Sequence, residues 1–178
     1  MVTYERGLQE RCIELLDRLR LPYRFGTDEL IDAVAALRGK PIDLVPMEPP
    51  PPGVVVHGQL HQFEDLDVIM YEPATFQLHQ LHSVSHEVGH LLFEHPDDPS
   101  LRAVAQEEAR SQGRDPSKII RVSGRTGYSS IHEVEAETLA SLIRQRMYRS
   151  RLLPPPQPSG AAERWEAAFT RPIKERRR

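Results

Sequence analysis

The spacing of apolar residues predicts two amphipathic helices at the start of the chain. Over residues 5–20, apolar side chains recur with the 3.6-residue period of a helix and form one stripe: Leu8, Cys12, Leu15, Leu16 and Leu19. A leucine–proline pair at 21–22 ends this helix, because the residue before a proline disfavours the α region. Thr27 is expected to cap a second helix, which ends near Gly39.

The pattern then changes to that of short strands. Apolar runs rich in β-branched residues predict strands at 42–45, 53–60 and 66–71. The prolines between the first two runs have no N–H to donate to a sheet, so this stretch is expected to be an extended loop. A short polar link before the last run favours a hairpin. We therefore expect a small, mainly antiparallel sheet of three strands.

Helical periodicity returns in the second half of the chain. It predicts one helix from Thr75 to the proline at position 96 and another over residues 131–149. The stretch between them, 97–130, is polar and is expected to be a long connection that contains one short helix. Together these elements predict an α+β fold.

Length and composition favour one domain with a tail. The 178 residues suffice for a single domain, which we assign to residues 1–152, followed by a proline-rich linker and a basic tail over residues 153–178. The only cysteine, Cys12, excludes a disulfide framework and a cysteine-based zinc site.

Charge and hydropathy narrow the class of partner. The net charge of −3 gives no overall basic field, so nucleic-acid binding is not expected despite the basic C-terminal residues. No run approaches the ~18 apolar residues of a membrane span, and the N-terminus lacks the apolar centre of a signal peptide. We expect a soluble, cytoplasmic protein without a membrane partner.

Residues 86–90 read HEVGH, a pattern with a direct chemical meaning. On a helix His86 and His90 lie on one face and can direct two ring nitrogens at one ion. Glu87 projects beside that ion, where a carboxylate can deprotonate a water molecule, and zinc suits this donor set best. Gly89 costs ~1 kcal/mol in a helix interior, so it is expected to permit close helix packing, to leave room beside the metal, or both.

A third ligand is not expected on the same helix. Position 96 is proline rather than the histidine of a longer zinc motif. Glu94 lies two turns from His86, about 12 Å along the axis, which is too far for both to bind one ion. His95 is nearer, but it lies where the helix breaks.

The downstream helix offers better candidates for the third ligand. Glu133 and Glu137 share a helix face, whereas Glu135 points away from it. One interpretation is a solvated acidic first turn. The other places Glu133 on the metal, with Glu137 hydrogen-bonded to a ligating imidazole. His132 is the competing ligand, and the spacing leaves this choice open.

Two further residues have candidate roles in substrate binding. Tyr71 could donate a hydrogen bond to a tetrahedral intermediate, or it could simply pack in the core. His82, one turn before His86, could contact substrate, bind a second ion, or be an ordinary cleft histidine. If the protein cleaves peptides, strand 66–71 or the strand before it is expected to take the substrate as an added strand.

Taken together, HEVGHLLFEH and the later E-x-E-A-E-x-x-A-x-x-I resemble the ImmA/IrrE family of metallopeptidase-like proteins, in particular its actinobacterial members. The family pattern is a HELGH helix followed by E-x-E-A-[DN]-x-F-A, and the resemblance covers roughly residues 5–150. It implies a zincin-like, gluzincin-type core with His86, His90 and Glu133 as zinc ligands and Glu87 as the catalytic acid and base. The sequence departs from the pattern in having Glu137 for Asp or Asn, Leu139 for Phe, and a long link between the two motifs.

The resemblance also implies a function. The implied function is that of a zinc-dependent endopeptidase. Such an enzyme would cleave a regulatory protein, such as a helix-turn-helix repressor or an antitoxin, in a stress or phage response. The alternative is a metal-binding regulator or toxin-system component that acts by binding a partner, with little proteolysis. Glu87 favours the enzyme, because a structural zinc site needs no acid or base beside the metal.

Overall fold

The computed structural model describes residues 2–47, 58–124 and 130–153, which form an α+β fold of five α-helices and a small mixed sheet of four strands. In chain order the elements are α1 (Val2–Arg18), α2 (Thr27–Arg38), β1 (Ile42–Pro46), β2 (Gly58–Phe63), β3 (Asp67–Tyr71), α3 (Gln77–Leu92), α4 (Arg102–Ser111), β4 (Ile119–Gly124) and α5 (Ser130–Leu152). The α+β expectation is confirmed.

The strands lie in the order β1-β3-β2-β4. β2 pairs antiparallel with both β3 and β4, and β1 pairs parallel with β3. The hairpin expected between the last two predicted strands is therefore present as β2–β3. The sheet is mixed, with one parallel pairing beside two antiparallel ones.

The three-stranded expectation was wrong because it omitted β4, which lies in the stretch predicted to be a long connection. A register shift between Gln62 and Phe63 places Phe63 opposite Ile119, whereas Gln62 faces Arg121. As a result Ile119 and Val122 both join the same apolar cluster, although strict alternation would put them on opposite faces. The bulge thus conceals the period-two pattern that would identify a strand.

Both faces of the sheet are covered. On one face, Leu60 and Ile69 pack in a core built from α1, α2, α3 and α5. On the other, Phe63, Val68 and Met70 pack with two alanines of α4. The sheet is therefore the middle layer of three, which explains why β2 is buried at every position.

The interior position of β2 and β3 corrects the expectation about substrate pairing. Each has a neighbour on both sides, so neither strand can accept a peptide as an additional strand. The outer edge of β4 is partly occupied as well. The Val122 carbonyl accepts a hydrogen bond from the Asp98 N–H at 2.8 Å, and the Val122 N–H donates to Asp97 Oδ1 at 2.7 Å.

Local chemistry defines the ends of α2. Gly26, rather than the expected Thr27, is the N-cap, and its N–H donates to Glu29 Oε2 at 2.7 Å. Gly39 ends the helix in the left-handed conformation, as predicted, with φ 68°. The buried Asp67 of β3 pairs with Arg38 at 2.7 Å, which ties this end of α2 to the sheet.

Some of the segments predicted from the sequence cannot be compared with the structure. The linker and basic tail, apart from Leu153, lie outside the described residues, as do residues 53–57 of the predicted second strand. No helix in the described part of the chain has the length and apolar character needed to cross a membrane.

Candidate metal centre

The candidate site lies where α3 and α5 pack against each other. Their separation is small because Gly89 of α3 faces the backbone of Ala136 on α5. A Cβ atom at position 89 would lie 2.7 Å from the Ala136 Cα and 3.0 Å from its carbonyl oxygen. The glycine therefore permits close helix packing, and this packing brings the first turn of α5 against the HEVGH segment.

His86, His90 and Glu133 converge at this contact and form a group that could hold a metal ion. One donor atom from each lies within 4.8 Å of the other two. The two Nε2 atoms are 2.9 Å apart, and the Glu133 oxygens lie 3.5 Å from His86 Nε2 and 3.6 Å from His90 Nε2. Of the two residues considered for the third ligand, Glu133 belongs to this group, and its role as a ligand stays a prediction.

The spacing of these donor atoms can be compared with the spacing around a four-coordinate metal ion. Bonds of about 2.0–2.1 Å at tetrahedral angles place ligand atoms about 3.3 Å apart. The two histidine–glutamate separations, each to a different Glu133 oxygen, are close to that figure, and the histidine–histidine separation is shorter. Two imidazole nitrogens and one carboxylate also leave a position open for water or substrate.

The electrostatic surroundings suit metal binding as well. Burial, and secondarily the neighbouring imidazoles of His86, His95 and His132, lower the pKa of His90 to about 2. The ring is therefore neutral near pH 7, as a ligand must be. Glu133 is about one-third exposed, so its carboxylate faces both the histidines and solvent.

Glu87 lies beside this group on the sheet side of α3. Its side chain is buried and lies against Gly58 at the start of β2, where a Cβ atom would be 2.8 Å from Glu87 Oε1. Glu87 is absent from the convergent group, as the HEVGH geometry predicts. Gly58 thus leaves space for the Glu87 carboxylate next to the candidate ligands.

Glu137 and His82 form a second pair behind His86. Glu137 Oε2 lies 3.2 Å from His82 Nε2 and 3.7 Å from His86 Nδ1, the ring nitrogen opposite the convergent Nε2. Glu137 therefore lies at ion-pair distance from His86, and its hydrogen bond to a ligating imidazole stays a prediction. His82 contacts Glu137 and belongs to the surroundings of the group rather than to the group itself.

Tyr71 lies on the strand next to Gly58 and is its register partner. Its side chain packs against the main core and lines a cavity of about 680 Å³ between α2, β1, the first turns of α3 and the C-terminal part of α5. The structure thus gives Tyr71 a packing role, and its role in catalysis stays a prediction.

Sequence reasoning considered His95 only as a ligand and expected Glu135 to point away from the candidate face, so it missed the contacts that these residues make beside His90. His95 Nδ1 lies 2.7 Å from His90 Nδ1, and His95 Nε2 lies 3.1 Å from Glu135 Oε2. The other Glu135 oxygen accepts a hydrogen bond from Arg11 of α1. His132, the competing ligand, instead places its ring 4.6 Å from that of His95.

Comparison with protein-family models, with curated proteins and with solved structures gives no significant match for this chain. The comparisons therefore assign neither a family nor a function to this chain.

Proposed function

We propose that the protein is a zinc-dependent metallo-endopeptidase with a zincin-like core. The observation that carries the proposal is the convergence of His86, His90 and Glu133 from two helices, with the buried Glu87 next to His86. Both features match the chemistry of H-E-x-x-H peptidases, in which two histidines and an acidic residue bind the metal. The resemblance of the two helix motifs to the ImmA/IrrE family supports the same conclusion.

Each residue has a defined role in this proposal. His86, His90 and Glu133 would hold the ion, which when bound would act as a Lewis acid that polarises the scissile carbonyl and lowers the pKa of water. Glu87 accepts a proton from the attacking water as the new C–O bond forms. It then delivers that proton to the leaving amine nitrogen as the C–N bond breaks, which regenerates the carboxylate.

The substrate class follows from the resemblance alone. We propose a DNA-binding regulatory protein, such as a helix-turn-helix repressor or an antitoxin, as the protein that is cleaved. Cytoplasmic location, and a role in stress or phage responses, belong to the same proposal.

Metal content and hydrolysis, measured on matched variants, test the proposal. We expect about one zinc per chain by mass spectrometry in the wild type and in Glu87→Gln, and none in His90→Ala. Hydrolysis is measured on two substrates, a quenched random-peptide library and a neighbouring helix-turn-helix regulator. Glu87→Gln should lower the rate of hydrolysis by at least ~100-fold. Glu107→Gln, an exposed glutamate on α4, is the control and should change neither quantity.

The outcomes separate the two functions. Zinc without hydrolysis of either substrate by the wild type would favour the metal-binding regulator. A wild-type protein that binds no zinc would exclude the catalytic proposal.

A further inference from the structure

A chain of polar contacts extends from His90 to the N-terminal helix. His90 Nδ1 meets His95 Nδ1 at 2.7 Å, His95 Nε2 meets Glu135 Oε2 at 3.1 Å, and Arg11 donates to Glu135 Oε1. We call these four residues the support chain. Three of them are more than nine-tenths buried, with 2% of His90, 4% of His95 and 8% of Glu135 exposed. Polar groups at such depth are arranged by their partners rather than by solvent.

The end of α3 places His95 in this chain. The His95 N–H donates to the His90 carbonyl at 3.1 Å, and the Glu94 N–H donates to the Leu91 carbonyl at 3.3 Å. Glu94 has φ 54°, so the helix ends in a Schellman motif with a left-handed residue. This turn folds His95 back over the last turn of α3 and against His90.

Neighbouring rings hold the plane of the His95 imidazole. The Phe93 ring is stacked with it at 5.6 Å and an interplanar angle of 6°, and the His132 ring lies 4.6 Å away. Because its ring is packed, His95 presents its two nitrogens in fixed directions, one to His90 and one to Glu135.

If His90 binds a cation through Nε2, the contacts take one direction of donation. His90 Nε2 must offer a lone pair if it is to bind a cation, so the single proton of a neutral ring resides on Nδ1 and is donated to His95 Nδ1. His95 then carries its own proton on Nε2 and donates it to Glu135. Glu135 is acceptor-only when ionised and receives hydrogen bonds from both His95 and Arg11.

We propose that His95 and Glu135 are positioning residues that orient His90 and hold its proton on Nδ1, so that Nε2 is available to the metal. The inference rests on the proposed metal site and extends it to residues beyond the ligands. In metal sites generally, the partner of a ligating histidine fixes its tautomer and ring orientation, and its loss lowers metal affinity by ~10–100-fold. Here the carboxylate acts through a second imidazole.

Zinc affinity is the first test. We expect His95→Ala and Glu135→Ala to raise the zinc dissociation constant by ~10–100-fold in a chelator competition. His95→Asn should recover most of the loss from His95→Ala, because its Oδ1 can accept the His90 proton where Nδ1 did. Glu107→Ala is the exposed control and should bind zinc like the wild type. Equal losses in His95→Ala and His95→Asn would indicate a packing effect and overturn the proposal, as would wild-type affinity in His95→Ala.

The proton position in metal-free protein is the second test. Long-range ¹H–¹⁵N correlation spectra of the wild type should show His90 protonated at Nδ1. In His95→Ala the Nε2-protonated form should appear, whereas His95→Asn should keep the wild-type pattern. Protonation of His90 at Nε2 in the wild type would overturn the proposal, even if His95→Ala fails to fold.

The two tests also separate this inference from the proposed function. The spectra need neither metal nor substrate, so they report on the support chain even if the protein binds no zinc. Suppose that the wild type binds zinc, that His95→Ala and Glu135→Ala lose zinc affinity as expected, and that no peptide is hydrolysed. This outcome would support the positioning role of His95 and Glu135 and exclude only the peptidase.

Discussion

Gly58 decides how much space the Glu87 carboxylate has. It lies at the start of β2, and a Cβ atom there would be 2.8 Å from Glu87 Oε1 and 3.0 Å from Glu87 Cγ. Both are side-chain atoms, so Glu87 would shift while the helix that carries the histidines stayed in place. A single methyl group can therefore separate the proposed acid–base function of Glu87 from the proposed metal binding.

Gly58→Ala tests that separation. We expect zinc content to remain about one per chain and peptide hydrolysis to fall by ~10–100-fold, because a displacement of about 1 Å at a catalytic group has effects of that size. Mass spectrometry and the peptide-library assay measure the two quantities. Loss of zinc in Gly58→Ala would show that the substitution disturbs α3 itself, and unchanged hydrolysis would show that Glu87 is not the base.

The packing of α3 against α5 is the decisive contact between elements. It brings the acidic turn of α5 to the histidines of α3, and it depends on Gly89 facing the Ala136 backbone. Backbone atoms cannot rotate away as a side-chain tip can, so a larger residue at position 89 must push the helices apart.

Gly89→Ala should therefore lower both stability and zinc affinity. Helix propensity alone would favour alanine by ~1 kcal/mol. Overpacking of about 1–3 kcal/mol outweighs it, and Glu133 is drawn away from the histidines. Urea unfolding of the metal-free protein and chelator competition measure the two effects.

Gly7→Ala is the matched control. Gly7 lies in α1, and a Cβ atom there would have no neighbour within 4 Å. This variant should gain up to ~1 kcal/mol in free energy of unfolding and bind zinc normally. If Gly89→Ala gained stability in the same way, the close-packing account would be wrong.

At the scale of the whole molecule, the three-layer arrangement buries polar groups on the sheet face opposite the candidate metal centre. His61 of β2 is buried there, 3.0 Å from Gln59 Oε1 and 3.4 Å from Glu108 Oε2 of α4. Burial, with a smaller contribution from Arg114, lowers the pKa of His61 to about 4. The His61 ring is therefore neutral in the folded protein near pH 7.

This burial makes stability depend on pH. Between pH 6.5 and 4 the unfolded chain takes up a proton on His61 that the folded protein does not, so the free energy of unfolding falls as pH falls. The full difference from the ordinary value of 6.5 is worth about 3 kcal/mol.

His61→Gln removes this titration. Wild type should be the more stable at pH 7, and its advantage should shrink by about 3 kcal/mol as pH falls to 4. Urea unfolding of both metal-free proteins at pH 7, 5.5 and 4 measures it. If the free energies of unfolding of the wild type and of His61→Gln changed in parallel with pH, His61 would not be the cause of the pH dependence.

Local periodicity explains which elements could be predicted. All five helices were expected, since the 3.6-residue pattern and the end signals are properties of neighbouring residues. β4 was missed because its bulge removes the alternation that a sequence can show. Its partner in the sheet is a contact between distant segments, which no local pattern encodes.

The candidate site likewise has features that follow from local sequence and features that depend on tertiary contacts. The sequence by itself determined that His86 and His90 share a helix face with Glu87 beside it, and that Glu133 and Glu137 share another, because helix geometry alone sets these relations. Only the tertiary structure decided that Glu133 converges with His86 and His90, since that depends on how α5 rotates and how closely it approaches α3. It also decided that His95 and Glu135 meet behind His90, because residues on separate elements become neighbours only when those elements pack.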